Sequence, residues 1–189
     1  MSGKIVAIEG LWNIGKTSLC RNLVKDIRGA KLINEPDHKK SKSEIQDIQS
    51  WYLRAWYQKM KSARKLASQD RVVLMERSFF STQAFVKALG RSVTPEMRLY
   101  INQLKNDLPD MVVLLKSQDH LSASIEKNKV RGYRNSGIPI TNMPFLQRYE
   151  SALRDSIIQS GVAWIEVDIT KTPEGLHSAC QKIKEALEP

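Results

Sequence analysis

The stretch that decides the fold is KIVAIEGLWNIGKTSLC, residues 4–20. Its first half, 5–8, is a short β-branched apolar run, the pattern of a strand buried on both faces. The pattern then breaks at Gly10, and Gly10, Gly15, Lys16 and Thr17 fit the phosphate-loop spacing G-x-x-x-x-G-K-[ST] between that strand and a following helical segment. Glycines at both ends let the backbone curl until successive amide N–H groups of Leu11, Trp12, Asn13, Ile14 and Ser18 face one anion, and the helix adds its positive end. Lys16 supplies a mobile charge for the β- and γ-phosphates, and the Thr17 hydroxyl is placed to coordinate magnesium. The expected ligands are ATP and Mg2+. Trp12 is a bulky aromatic within this loop, and packing on a neighbouring loop is its simplest role.

Working outward, the chain alternates strand-like and helix-like segments. Residues 17–27 read as a helix ended by Gly29, and 31–35 as a second strand whose last residue, Glu35, precedes Pro36. A carboxylate at that edge of an open α/β sheet stands where ligands bind. Residues 43–67 form the longest helical pattern, with Ser43 as cap and Ile45, Tyr52, Leu53, Trp56, Met60, Ala63 and Ala67 on one face. Gln49 lies on that face, where an amide either reads a base edge or turns to solvent. Residues 71–76 are a buried strand closed by Glu76-Arg77-Ser78. An acid at such a strand end can hold magnesium or its water, and Arg77 can pair with Glu35 or neutralise charge during phosphoryl transfer.

Beyond this, 79–89 reads as a helix in which Phe80 or Phe85 could face a planar ligand. A helix at 94–108 has Thr94 as cap and Pro95 at its first position. Strands at 110–116 and 162–168 and helices at 121–130, 142–160 and 172–187 follow. Arg131 and Arg134, in the glycine-containing segment 131–139, suit a lid over a transferring phosphate. The expected architecture is a single three-layer α/β/α domain, 1–189, with a five-stranded mostly parallel sheet.

Composition narrows the classes of function. At 189 residues the chain can build one sizeable core, and 41% hydrophobic with 26% charged residues is globular. No long apolar stretch is present, so a membrane partner is not expected and a cytoplasmic location is. Cys20 and Cys180, without metal-ligand spacing, read as reduced structural thiols. A net charge of +10 favours polyanionic partners such as nucleotides. The only compact basic cluster, 38–42, is more typical of a solvated loop than of a nucleic-acid footprint.

The chain resembles the deoxynucleoside kinase and thymidylate kinase superfamily. Ile8-Glu9-Gly10 leading into Gly15-Lys16-Thr17, and Glu35-Pro36, are similar to both branches. Glu76-Arg77-Ser78, the arginines from Arg131 to Arg134 with Phe145-Leu146 and Tyr149-Glu150 behind them, and Glu166-Val167-Asp168 running to Pro173 resemble the deoxynucleoside kinase branch. The resemblance implies a P-loop kinase fold with an arginine-bearing lid at about 130–141. It implies Glu35 as general base for a sugar 5′-hydroxyl, Arg77 as its positioner, and Arg131 and Arg134 on the transferred group. It also implies Glu76 and Thr17 for magnesium, Gln49 as reader of the base, and Phe85 stacked on it, with Tyr52 and Trp56 in the substrate site. Thr82 stands where cytidine-preferring members carry aspartate, which tilts the acceptor toward thymidine. Asn34, where thymidylate kinases commonly carry arginine, removes one cation for an acceptor phosphate. The family often forms homodimers through helix faces, a role open to the 43–67 helix. The alternatives are a thymidylate kinase and a nucleotide-dependent switch protein, although Lys127-Asn128-Lys129 does not supply a guanine-specifying element.

Overall fold

Every residue of β1 (Ile5–Glu9) is buried, which a strand achieves only with covered faces and paired edges. The computed structural model that shows this describes residues 3–37, 47–116, 120–130, 139–170 and 172–188. β1 lies at the centre of a five-stranded sheet completed by β2 (Lys31–Ile33), β3 (Val73–Glu76), β4 (Met111–Lys116) and β5 (Trp164–Asp168), in the order β2-β3-β1-β4-β5. All neighbours run parallel, with Ile8 opposite Glu76 and Glu9 opposite Leu114.

Alternation along β1 sends side chains to two cores. Ile5 and Ala7 join the apolar faces of α2 (Ile48–Ala67), α3 (Phe79–Ala88), α4 (Pro95–Lys105) and α6 (Met143–Ser160). Val6 and Ile8 meet α1 (Lys16–Asp26) and α7 (Pro173–Leu187) on the other side. α5 (His120–Val130) follows β4. The α/β architecture read from the sequence is therefore the one observed. Because the chain passes from β1 to β2 and later crosses to β4, the sheet reverses direction next to β1, and crevices for ligands open at such points beyond the strands' carboxyl ends.

Several element ends move. β2 stops at Ile33, so Glu35 lies two residues past the strand rather than at its tip. The described part of α2 begins at Ile48, capped by Asp47, whose Oδ1 accepts from the backbone N–H groups of Gln49 at 3.1 Å and Ser50 at 3.2 Å. A carboxylate at that position satisfies the first-turn donors of the described helix. Ser43, Ile45, the basic cluster at 38–42, and Arg131 and Arg134 of the expected lid lie outside the described residues. Thr94 and Pro95 begin α4 as the sequence predicts, with Thr94 Oγ1 accepting from Met97 N–H at 3.2 Å. No described helix is long and apolar enough to cross a membrane.

Candidate functional site

Gly10 and Gly15 adopt φ values of 138° and 116°, a region that side chains disfavour. At Gly10 the space is also closed, since a Cβ there would meet the Leu115 carbonyl oxygen at 3.0 Å. Between them Asn13, at φ 61°, takes the left-handed conformation that asparagine tolerates better than most side chains. The loop then runs directly into α1, with Gly15 as its cap residue. Lys16 is folded back, its Nζ donating to the carbonyls of Leu11 at 2.5 Å and Gly10 at 3.2 Å. Burial, and next the charge of Arg77, lower the Lys16 pKa to about 7, against the pull of Glu35, Glu9 and Glu76.

Thr17 Oγ1 donates to Glu76 Oε1, which brings a hydroxyl from α1 and a carboxylate from β3 to one point. Hydroxyl and carboxylate oxygens are hard donors of the kind magnesium takes, and the pair fits such an ion at the mouth of the loop.

The other side of the site is built around Arg77. It is buried and, unusually for a residue other than glycine, left-handed at φ 66°. Its Nε meets Glu35 Oε2 at 2.8 Å, the pairing the sequence suggested. From the same guanidinium, Nη1 donates to Gly10 O, Ser81 Oγ and Tyr149 Oη, each at 3.0 Å. Burial opposes this charge, but Tyr149, Glu35 and Glu9 outweigh it, and the pKa moves above the ordinary arginine value. Glu9, fully buried, accepts from Ser78 N–H at 2.8 Å and from the hydroxyls of Ser78 at 2.6 Å and Ser81 at 2.5 Å. Burial pushes its carboxyl above the usual range, with Arg77 working in the opposite direction.

Trp12 covers this network from the loop. Its ring centroid lies 4.6 Å from that of Tyr149, 6.2 Å from that of Phe85 and 5.0 Å from the Arg77 guanidinium carbon. Trp12 therefore packs on side chains of α3 and α6 and not on a neighbouring loop, and it also lines the cavity.

A cavity of about 910 Å³ gathers Trp12, Asn13, Ile14, Gly15, Lys16, Thr17 and Ser18 with Glu35, Glu76 and Arg77. Asn22, Lys25 and Asp26 of α1 and the stretch from Ile169 through Thr170 and Thr172 to His177 form its far wall. Leu11 is 2% exposed and, like Gly10, contributes its carbonyl to Lys16 instead of lining the cavity.

The residues expected around an acceptor base are placed differently. Gln49, Tyr52, Trp56 and Phe85 do not line this cavity. Trp56, 2% exposed, is packed in the core, and its Nε1–H donates to Thr82 Oγ1 at 3.2 Å. Phe80 is also core, stacked on Phe79 at 4.3 Å. Phe85 meets Trp12 and Phe145 edge-on. Gln49 is buried in the first turn of α2.

Sequence reasoning passed over Glu9, Ser81 and Tyr149. Glu9 had a signal, a lone carboxylate closing an apolar strand beside a similar strand ending in Glu76. Tyr149 stood in the sequence only as part of the resemblance, with no role attached, because packing of α6 against α3 and the loop is what brings it to Arg77. Cys20 and Cys180 are free, buried thiols; burial, then Glu76, pushes Cys20 up to about 12, and neither is poised to react.

No family model and no curated protein matches the chain. Solved structures do share its fold. Thymidylate kinase from Ehrlichia chaffeensis aligns over 100% of both chains with TM-score 0.66 and 13% identity. Deoxyadenosine kinase from M. mycoides, with dCMP and dCDP bound, covers 97% of this chain and 98% of its own at TM-score 0.66 and 18% identity. Thymidylate kinase from Candida albicans covers 98% of this chain and 92% of its own at TM-score 0.68 and 16% identity.

Proposed function

We propose that this chain transfers the γ-phosphate of ATP to the 5′-hydroxyl of a deoxynucleoside, a pyrimidine such as thymidine. The observation that carries the reading is that Glu35, held at 2.8 Å by Arg77, opens onto the same cavity as Lys16, Thr17 and Glu76. A donor triphosphate gripped by the loop amides and Lys16 and a sugar alcohol beside Glu35 would then be neighbours, and most of the catalytic gain comes from such positioning.

Glu35, 45% exposed in its side chain, accepts the proton of the 5′-hydroxyl. The oxygen attacks the γ-phosphorus, the bond to the β,γ-bridging oxygen breaks, and ADP leaves with that electron pair. Arg77 fixes Glu35 and offers positive charge at the attacking oxygen. Magnesium held at Thr17 and Glu76 would neutralise charge on the β- and γ-oxygens. Trp12 covers Arg77 and excludes water from one side of the transfer.

A second reading, phosphorylation of thymidine monophosphate, is favoured by the two thymidylate kinases among the fold neighbours and by the +10 charge. One assay separates them. Purified protein with ATP and magnesium is offered thymidine, deoxyadenosine and thymidine monophosphate in parallel. Turnover of a nucleoside is expected, and turnover of the monophosphate alone overturns the first reading.

A further inference from the structure

Two buried polar side chains on α5 are unused by the chemistry above. Ser124, 2% exposed, and Asn128, 0% exposed, stand one turn apart on the same face of the helix. An amide buried without partners is destabilising, so the partners Asn128 has found are informative. Its Oδ1 accepts from Asn13 Nδ2 at 2.6 Å. Its Nδ2 donates to the Ile140 carbonyl at 2.8 Å and to Ser124 Oγ at 3.4 Å. Ser124 Oγ in turn donates to the Trp12 carbonyl at 2.8 Å. The helix therefore grips two consecutive loop residues, Trp12 by its backbone and Asn13 by its side chain.

Those two residues sit at the middle of the arc between Gly10 and Gly15, where peptide orientation decides whether the amides face an anion. Asn13 is the one non-glycine residue between Gly10 and Gly15 with positive φ, a conformation that persists where its surroundings hold it. We propose that Asn128 is a positioning residue for the phosphate donor: through Asn13 it holds the loop in its anion-binding shape, touching neither triphosphate nor acceptor. This rests on the reading that the loop binds ATP. A merely structural amide would lower stability and affect both substrates alike, whereas a positioning amide weakens the donor selectively.

The test is calorimetric titration of the full chain with MgATP, together with KM for ATP and for the accepted nucleoside, in Asn128→Leu, Asn13→Gly and the double variant. Asn13→Gly keeps positive φ without strain and removes the bridge from the loop side, leaving the buried helix face unaltered, so it folds even if the buried substitution does not. Expected is a roughly tenfold loss of ATP affinity in each single variant, which corresponds to about 1.4 kcal/mol, with the nucleoside KM changed less than twofold. The double variant is expected to lose no more than the worse single one, as for two halves of one interaction. Parallel shifts in both KM values, fully multiplicative losses, or wild-type affinity in Asn13→Gly overturn the proposal. A wild-type chain that binds no nucleoside triphosphate overturns the functional reading and this inference together. Tight wild-type binding matched by the variants overturns this inference alone.

Discussion

Lys16 and Arg77 are both buried cations at the carboxyl edge of one sheet, and desolvation opposes the charge of each. Arg77 has a carboxylate at 2.8 Å, a second close by in Glu9, and three oxygens at 3.0 Å on Nη1. Lys16 has two backbone carbonyls and, among the described residues, no carboxylate in salt-bridge contact, and its pKa falls to about 7. The Arg77 side, where the proposed function puts the acceptor, is thus neutralised by the protein itself, while the Lys16 side, where it puts the donor, is left short of negative charge. On the proposed function, a triphosphate would supply what Lys16 lacks, and its binding would gain by restoring a charge that burial had discouraged.

The sharpest way to break this contrast is to remove each charge in turn. Lys16→Met should weaken MgATP binding by roughly a hundred- to a thousandfold, the range for loss of a preorganised charge partner. It should not lower stability at pH 7. The folded-state pKa lies below the ordinary lysine value, so the unfolded chain binds more protons between about pH 7 and 10.5. The penalty for charging Lys16 is fully present below pH 7 and is relieved as pH rises through that window. Denaturant melts of wild type and variant at pH 6 and 9 check this: wild-type stability should gain with pH relative to the variant. Glu35→Gln should leave ATP binding intact and reduce turnover about a hundredfold, the share of a general base. Equal loss of binding and turnover in both variants would erase the distinction between the two sides.

A smaller effect concerns protons. If bound triphosphate re-protonates Lys16, ATP affinity should fall by up to about tenfold per pH unit above pH 7. Calorimetry at pH 8 in buffers of different ionisation heat should show proton uptake in the wild type and less of it in Lys16→Met. The smallest effect lies away from both cations. Thr82→Val leaves the buried Trp56 Nε1–H unpartnered and should cost about 1–3 kcal/mol in a denaturant melt, with ATP affinity unchanged. A loss of ATP affinity there would show that the Trp56 core is coupled to the donor side.

Local pattern made the strands, the phosphate loop, the acid ending β3 and the acid just past β2 legible, because each is written in consecutive residues: an apolar run, a glycine spacing, a carboxylate at or after a strand. The pairing of Arg77 with Glu35 was also legible, since parallel strands ending together bring their next residues to one edge. The packing of Trp56 was not legible, because an apolar helical stripe looks alike whether it faces a ligand or a core. Only the position of α3 decided that its indole meets Thr82. The capping of α2 by Asp47 was missed for a smaller reason, namely that several polar residues precede the helix and only backbone geometry chooses among them.

By itself the sequence determined where an anion can be gripped and which acid stands near it, since both depend on residues adjacent in the chain. Tertiary structure alone decided the surroundings. Tyr149 reaches Arg77 across 72 positions and Asn128 reaches Asn13 across 115, and contacts between such distant residues follow from how helices pack on the sheet, not from any local periodicity.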